Sequence, residues 1–263
     1  KVLPKIVADQ IAAGEVIERP SSIIKELVEN SIDAGARSIT VTASNSDLSA
    51  ITVQDDGVGM EPNDLKMSIK RHATSKLLQV EDLDHIASLG FRGEALASIG
   101  SVSKMTITSR TRQSVLANKL EVNGGCVSGE IKPSAGNYGT FISVSELFYN
   151  TPARKKFLKT FPTEMRHIKM VMLRLAISNP HIAFRLFQDK KLIFGFKSGK
   201  IDESKSRFAF LVGKNFAEEA RKIYYGETKS RPIRGESTEK EAQELAEEGI
   251  QFSKLPWQTK EDA

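Results

Sequence analysis

Residues 25–33, Lys-Glu-Leu-Val-Glu-Asn-Ser-Ile-Asp, are the stretch of this sequence that decides the fold. On a helical wheel at roughly 100° per residue, Glu26, Asn30 and Asp33 fall within an arc of roughly 60°. The aliphatic residues on the opposite side are Ile24, Leu27 and Val28. We therefore predict a helix over residues 22–34 that buries its aliphatic stripe and points two carboxylates and an amide the same way.

The polar face of this predicted helix suits a magnesium nucleotide. The amide oxygen of Asn30 can ligate a hard cation directly. The carboxylate of Glu26, one turn earlier, can orient and deprotonate an attacking water. The alternative is an ordinary solvated face with Glu and Asn four residues apart, and the helix alone does not separate the two.

A strand followed by an acidic turn comes next, because residues 51–54 alternate and lead into Asp55-Asp56-Gly57-Val58-Gly59. A carboxylate at the end of a strand can accept a hydrogen bond from the exocyclic amino group of adenine. Gly57 and Gly59 permit close backbone approach or a positive φ. The alternative is a plain Asp-Gly turn.

Two loop motifs favour phosphate. Residues 90–96, Gly-Phe-Arg-Gly-Glu-Ala-Leu, precede an Ala- and Leu-rich helix, and N–H groups at a helix N-terminus attract phosphate. Residues 71–76 add two hydroxyls and a cation from Thr74, Ser75 and Lys76. The alternative for residues 90–96 is an ordinary loop that leads into a helix, and the alternative for residues 71–76 is a surface loop. The acidic helix, the acidic turn and the loop at residues 90–96, taken together in this order, indicate a nucleotide pocket that does not use a Walker P-loop.

The rest of the chain predicts a mixed sheet with helices on one face, an α/β sandwich of two layers, because consecutive strands lie too close for crossover helices. Pro20, Ser21 and Ser22 offer a stop and a candidate N-cap, and Gly35 fits a helix C-terminus. The other predicted helices are residues 8–18, 62–72, 82–87, 93–99 and 162–178. The other predicted strands are residues 38–42, 105–110, 118–122, 140–144, 184–188 and 192–196.

The composition of the chain excludes several classes of protein and of metal site. The chain has 263 residues, a net charge of +5 and a single cysteine, Cys126, which excludes a disulfide framework or a Cys-rich zinc site. The four histidines lack ligand spacing. Because there is no long apolar run and no apolar signal core, we expect a soluble protein of a reducing compartment, with no membrane partner. The mildly basic balance is compatible with nucleic acid.

With these motifs in place, the chain resembles the N-terminal ATPase region of the MutL family of DNA mismatch-repair proteins, most closely the bacterial members. The matching stretches are residues 11–20, 25–36, 55–60, 71–76, 89–99, 139–140 and 147–158. Residues 89–99 and 147–158 are specific to this family. The acidic helix and the turn after it are shared with gyrase-type topoisomerases, 90-kDa chaperones and sensor histidine kinases, the GHKL (Bergerat) ATPase superfamily, so a topoisomerase or kinase relative is the weaker alternative.

The resemblance implies roles for residues of this chain. Glu26 is the general base for ATP hydrolysis, Asn30 ligates Mg²⁺, Asp55 binds the adenine, and Thr140 supports the adenine end. The other residues expected at the ATP site are Asp33, Gly57, Gly59, Thr74, Ser75, Lys76, Gly90, Phe91, Arg92, Gly93, Glu94, Ala95 and Leu96. Residues 90–96 form part of a lid that wraps the phosphates.

The resemblance also implies partners. Family members form ATP-dependent homodimers through the N-terminal region and couple mismatch recognition to strand incision by other repair proteins. They bind DNA without sequence preference, and the candidate contacts here are Arg154, Lys155, Lys156 and Lys159, with a solvated basic face as the alternative. We expect a cytoplasmic, bacterial, nucleoid-associated protein, or a nuclear one in a eukaryote.

Two departures from the family pattern concern Asp56 and the end of the chain. Position 56 is Asp where many relatives have Asn, which adds negative charge near the nucleotide. We expect an ATPase domain over residues 1–200, the start of a ribosomal S5-like second domain over 201–225, and a polar, charged tail over 226–263 with a helix at 239–248. The second-domain lysine that reaches the γ-phosphate in the family has no match here, so the chain is expected to be truncated or divergent, and weakly hydrolysing. The alternative is a nucleotide-gated interaction module that binds ATP with little or no hydrolysis.

Overall fold

The computed structural model describes residues 5–44, 50–71, 73, 93–199, 216–226 and 239–253. The chain divides into two compact units, Lys1–Ser204 and Lys205–Ala263. The first unit is built around a single β-sheet.

The strands of this sheet are β1 (Ser38–Ala43), β2 (Ala50–Asp55), β3 (Lys104–Arg110), β4 (Ala117–Asn123), β5 (Cys126–Val127), β6 (Lys132–Ser134), β7 (Gly139–Ser145), β8 (Ala183–Gln188) and β9 (Lys191–Phe196). Their order is β5-β4-β3-β7-β2-β1-β8-β9, and β6 also pairs with β4. β1 and β8 pair in parallel, and the other described pairs are antiparallel. The sheet is therefore mixed, as predicted.

The helices of the first unit are α1 (Lys5–Val16), α2 (Pro20–Asp33), α3 (Pro62–Ser68), α4 (Ala95–Ser101), α5 (Pro152–Lys155) and α6 (Phe161–Ser178). α2 contacts β1 and β2, α4 contacts β3 and β4, and α6 contacts β8. α1 packs on α4, and α2 packs on α6. These contacts place α2, α4 and α6 against strands of one sheet.

The strands alternate between a covered and an open side. In β1, Ile39 and Val41 are fully buried, and Thr40 and Thr42 are only partly covered. The same alternation of buried and more exposed positions runs through β2, β3 and β7. Because successive side chains of a strand point to opposite faces, one face of the sheet lies under the helices and the other is more open. The predicted two-layer α/β sandwich is confirmed.

α2 confirms the predicted amphipathic helix but begins differently. Ser21 and Ser22 do not cap it, because the N-cap is Arg19, without a side-chain capping bond, and Pro20 is the first helical residue. The fixed φ of proline suits that position, where its missing N–H has no intrahelical acceptor. Gly35 follows the helix with φ of 69°, as a C-terminal glycine should.

Several predicted boundaries shift. The helix predicted at 62–72 ends at Ser68, and the one predicted at 93–99 lies at Ala95–Ser101. The helix predicted at 82–87 falls outside the described residues. The short elements α5, β5 and β6 were not predicted, because two to four residues carry too little periodicity to be recognised.

The second unit contains two described helices, α7 (Phe216–Tyr224) and α8 (Glu239–Glu247). Its small core consists of Ala217, Ala220, Leu245 and Ile250, with Phe252 packed against it. Arg221 of α7 donates from Nη2 to Glu244 of α8 at 3.1 Å, and from Nε to both carboxylate oxygens of Glu248, just after α8, at 2.8 and 3.0 Å. The helix predicted at 239–248 is confirmed. Across the described parts of both units, no helix is long and apolar enough to cross a bilayer.

Candidate functional site

Asp55, the last residue of β2, is a buried carboxylate held at three points. Only 7% of the residue is exposed. Its Oδ1 accepts hydrogen bonds from the backbone N–H of Gly57 at 2.9 Å and of Thr140 at 3.2 Å. Its Oδ2 accepts one from the hydroxyl of Ser31 at 2.8 Å. Residues from α2, β7 and the turn after β2 thus fix this side chain.

The environment of Asp55 opposes ionisation. Burial raises the pKa of the Asp55 carboxyl above its ordinary value, and the hydrogen bonds that it accepts act in the opposite direction. Each of these anchoring groups is a donor. The carboxylate can therefore accept one further N–H group from a ligand, which is the chemistry that an adenine amino group offers.

The hydroxyl of Ser109 on β3 holds Thr140 in place. The hydroxyls of Ser109 and Thr140 lie 2.9 Å apart, and the register of β3 and β7 places these two residues opposite each other. Ser109 Oγ also donates to the carbonyl of Gly139 at 3.1 Å and accepts from the N–H of Met60 at 2.8 Å. Ser109 therefore ties the Asp55 turn to β7.

The glycines of the predicted turn have a backbone role. Gly59 has φ of 73°, and a Cβ there would lie 2.3 Å from the carbonyl oxygen of Arg110. Gly139 has φ of 96°, and a Cβ there would lie 2.1 Å from the carbonyl oxygen of Asp55. Only glycine fits both constraints. Gly57 contributes the N–H that Asp55 accepts.

The polar face of α2 is partly exposed, as the wheel predicts. Glu26, Asn30 and Asp33 are all half-buried, and Ile24, Leu27 and Val28 are buried on the other side. Glu26 lies 3.4 Å from the ammonium of Lys25, which is closer to Glu29, at 2.8 Å. Because Asn30 precedes Ser31, the predicted metal ligand lies next to the residue that anchors Asp55.

Asp56 has a role that its sequence position did not reveal. Its Oδ1 accepts hydrogen bonds from the backbone N–H groups of Arg37 at 2.7 Å and Ser38 at 2.8 Å. The carboxylate therefore caps the start of β1. A side-chain amide oxygen could accept the same two bonds, so an Asn at this position would keep the contact.

The loop motifs are only partly within the described residues. Thr74, Ser75, Lys76, Gly90, Phe91 and Arg92 lie outside them. Gly93 has φ of 61°, and a Cβ there would lie 2.5 Å from the carbonyl oxygen of Ala73, so the two loop motifs meet at this point. Glu94 is the N-cap of α4, and Ala95 and Leu96 begin that helix.

The basic segment around α5 is not uniform. Lys155, Lys156 and Lys159 are exposed. Arg154 is half-buried beside α1, where a Cβ on Gly14 would lie 1.8 Å from its Nη2. The three lysines therefore lie on a solvent-exposed basic surface, whereas Arg154 lies in a partly buried environment beside α1.

Ser31 and Ser109 are site residues that sequence reasoning missed. The signal for Ser31 was its place four residues after Leu27 on the buried side of α2, where an unpaired hydroxyl would be costly. No local signal marks Ser109, because its partners come from a strand that is not adjacent in sequence. Within the described part of the chain, no cluster of His, Cys, Asp or Glu has the geometry of a metal site.

Two family models match the chain. Residues 18–132 match the histidine kinase-, DNA gyrase B- and HSP90-like ATPase family. Residues 199–260 match a family described as a protein of unknown function, DUF1178. The first match covers α2 and the Asp55 turn. The second covers the stretch where the S5-like segment was expected, and that expectation stays a prediction.

The curated relatives are DNA mismatch repair proteins. MutL of Histophilus somni is 47% identical over 221 residues, which cover 84% of this chain and 36% of that protein. MutL of Neisseria meningitidis serogroup B is 47% identical over 216 residues, which cover 81% of this chain and 32% of that protein. The chain thus spans about a third of the length of these relatives.

Solved structures agree with the fold and the family. The Aquifex aeolicus MutL ATPase domain complexed with ADP has a TM-score of 0.59 and 32% identity, and the match covers 73% of this chain and 69% of that one. The N-terminal domain of a DNA repair protein has a TM-score of 0.63 and 31% identity, over 76% of this chain and 59% of that one. The buried acid at the end of β2, the helix that anchors it and these matches establish that the chain belongs to the MutL family of mismatch-repair proteins, through an ATPase domain of the GHKL fold.

Proposed function

We propose that the first unit binds ATP with Mg²⁺ and hydrolyses it weakly, in the service of DNA mismatch repair. The observation on which this rests is Asp55, a buried carboxylate fixed by three donors with acceptor capacity left for a ligand. In this proposal Asp55 accepts the adenine amino group and Thr140 supports the same end. A buried polar acceptor of this kind discriminates strongly against a ligand that lacks the matching donor.

Glu26 and Asn30 are the proposed hydrolytic pair. The half-buried carboxylate of Glu26 holds and deprotonates the attacking water. Asn30 would supply one oxygen ligand to Mg²⁺, an ion that usually keeps waters and substrate phosphates as its remaining ligands. When bound, the cation neutralises charge that develops on the phosphates. Asp33 extends this polar face, and Gly93, Glu94, Ala95 and Leu96 are proposed to line the phosphate end together with Thr74, Ser75, Lys76, Gly90, Phe91 and Arg92.

The biological roles follow from the family and are proposals for this chain. ATP orders a lid over residues 72–96 and promotes a homodimer through the N-terminal region, and the dimer passes the mismatch signal to incision proteins. The exposed Lys155, Lys156 and Lys159 supply salt-sensitive DNA contacts without sequence preference. The proposed location is the cytoplasm of a bacterium.

The second candidate is a nucleotide-gated interaction module that binds ATP with little or no turnover. It is favoured by the match of residues 199–260 to a family of unknown function, at the place where the resemblance calls for the S5-like domain and its lysine. Electrostatic help at the γ-phosphate is a large part of phosphoryl transfer, so a domain without that cation would hydrolyse slowly.

Calorimetric titration of ATP with Mg²⁺ tests the proposal, on the wild-type chain, Asp55→Asn and the control Asp56→Asn. Both variants replace one carboxylate by an amide, and Ser31 can accept from the new amide, so the fold should survive. We expect Asp55→Asn to abolish measurable binding and Asp56→Asn to keep it. Equal affinities for the wild type and Asp55→Asn would refute the adenine role, and turnover measured on the same samples separates the ATPase from the binding module.

A further inference from the structure

A shallow cavity of about 340 Å³, open to solvent, lies on the surface of the first unit and shares no residue with the Asp55 network. Gln10 and Ile11 of α1 form one side, and residues 150–154 form the other. This segment is part of the stretch specific to the family, yet the proposed ATP site makes no use of it. A role for this cavity is therefore independent of the proposed function.

Three residues of this wall carry buried polar atoms without a partner. Asn150 Oδ1, Thr151 Oγ1 and Arg154 Nη1 have no hydrogen-bond partner among the described residues. A fourth such atom, Oε2 of Glu164, belongs to α6 and not to the wall. Native proteins pair nearly all buried polar atoms with protein, water or ligand. Three orphans from neighbouring residues beside one cavity therefore mark a site that a bound group completes.

The chemical character of the three atoms is fixed. The amide nitrogen of Asn150 donates to the carbonyl of Ser101 at 2.8 Å, so its other atom is the acceptor Oδ1. The Arg154 guanidinium is a cation that can only donate. It makes no ion pair with a carboxylate of the described residues. The hydroxyl of Thr151 can donate or accept.

The position of Arg154 is built into the fold. Its guanidinium packs so closely on α1 that a Cβ on Gly14 would lie 1.8 Å from Nη2 and 2.8 Å from Cζ. The backbone N–H of Arg154 donates to the carbonyl of Thr151 at 3.0 Å, which holds the wall in a turn. Lys155 and Lys156, the next two cations, are exposed and do not line the cavity.

A ligand that satisfies all three atoms needs an acceptor for Arg154 and a proton to donate to Asn150, and an anion best matches the charge of the guanidinium. We propose that this cavity binds hydrogen phosphate, either free or as the end of a phosphate monoester. Arg154 and Thr151 would donate to phosphate oxygens, and the P–OH group would donate to Asn150 Oδ1. Sulfate and the phosphodiesters of DNA carry no such proton near neutral pH, so they would leave Asn150 opposed to an anionic oxygen.

Calorimetric titration of inorganic phosphate into the full chain tests this proposal, with sulfate at the same ionic strength and glycerol phosphate as comparison ligands. The variants are Arg154→Gln and the control Lys190→Gln, which removes one positive charge from an exposed lysine in the turn between β8 and β9. We expect saturable phosphate binding that Arg154→Gln weakens at least tenfold and Lys190→Gln leaves unchanged. Sulfate should bind at least tenfold more weakly than phosphate, and tighter binding of glycerol phosphate than of phosphate would identify a monoester as the source.

A second variant keeps the test decisive if circular dichroism finds Arg154→Gln unfolded. Thr151→Val removes a hydroxyl without changing charge or size, and we expect it to weaken phosphate binding severalfold. Phosphate that binds as tightly to folded Arg154→Gln as to the wild type would overturn the proposal, because that binding belongs to another site. Equal weakening in Arg154→Gln and Lys190→Gln, equal affinities for phosphate and sulfate, or no binding at all would also overturn it.

Discussion

The hydroxyl of Ser31 donates a hydrogen bond of 2.8 Å to Oδ2 of Asp55, and this bond joins α2 to the end of β2. Ser31 is buried, and its oxygen also lies 3.1 Å from the carbonyl of Leu27. The helix with the proposed hydrolytic residues and the turn with the proposed adenine acceptor are therefore coupled by one side chain.

Removal of this hydroxyl should weaken both the fold and the site. We expect Ser31→Ala to lower the free energy of unfolding by about 1–3 kcal/mol, because a buried carboxylate oxygen is left without its donor. ATP affinity should fall severalfold. Denaturant unfolding and calorimetry check both effects, with Ser22→Ala, a half-buried serine on the same helix, as control. Equal stabilities of the two variants would mean that the bond contributes nothing net.

The raised pKa of Asp55 sets the sign of a pH effect on stability. The folded carboxyl binds its proton more tightly than the unfolded one, so the folded chain holds more protons above the ordinary value of 3.8. The contribution of this carboxyl to the free energy of unfolding is fully present below its ordinary pKa of 3.8 and is lost as the pH rises through the pKa of the folded state. We expect the unfolding free energy of the wild type to fall relative to Asp55→Asn across that window, measured by denaturant unfolding. A rise instead would mean that the hydrogen bonds outweigh the burial.

Local periodicity predicted α2, the central strands and the mixed sheet, because each of these elements buries one face in a repeating pattern. It could not predict the contact between Thr140 and Asp55, whose positions are 85 residues apart in sequence. That contact depends on β7 lying beside β2, and no local pattern encodes strand order. Thr140 was named from the family resemblance, and Ser109, its partner across β3 and β7, was missed for the same reason.

The type of a residue alone does not reveal the environment of its side chain. Arg154, Lys155 and Lys156 look alike in sequence, yet the arginine is half-buried against α1 and the lysines are exposed. The sequence likewise predicts Asp56 as an extra charge in a nucleotide turn, whereas its carboxylate caps the start of β1. Both distinctions arise from packing between elements that are distant in the chain.

Glu26 should separate turnover from binding. We expect Glu26→Gln to lower the ATPase rate by about 10²–10⁴-fold with ATP affinity nearly unchanged, because a general base acts on water and not on the nucleotide. Steady-state phosphate release and calorimetry on the same sample measure the two quantities. Glu130→Gln, an exposed carboxylate of the same unit, is the control. Turnover that persists in Glu26→Gln would point to another base.

The exposed lysines at the end of α5 and beyond it should contribute to DNA binding through counterion release. We expect replacement of Lys155, Lys156 and Lys159 by glutamine to weaken binding to duplex DNA of any sequence. The slope of log K against log salt should decrease by about 0.9 for each phosphate that the protein no longer neutralises. Replacement by glutamine of Lys132, Lys190 and Lys191, three exposed lysines elsewhere on the first unit, is the matched control. An unchanged slope would place the DNA surface elsewhere.

Gly59 and Gly35 separate backbone strain from steric clash. Both have positive φ, 73° and 69°, but a Cβ on Gly59 would lie 2.3 Å from the Arg110 carbonyl oxygen, whereas one on Gly35 would meet nothing within 4 Å. We expect Gly35→Ala to lower the free energy of unfolding by about 1–2 kcal/mol, the cost of a left-handed alanine. Gly59→Ala should lower it further, because the carbonyl of Arg110 must move, and it should also weaken ATP binding by displacing the turn after Asp55. Equal destabilisation of the two variants in denaturant unfolding would indicate that the loop around Arg110 yields without cost.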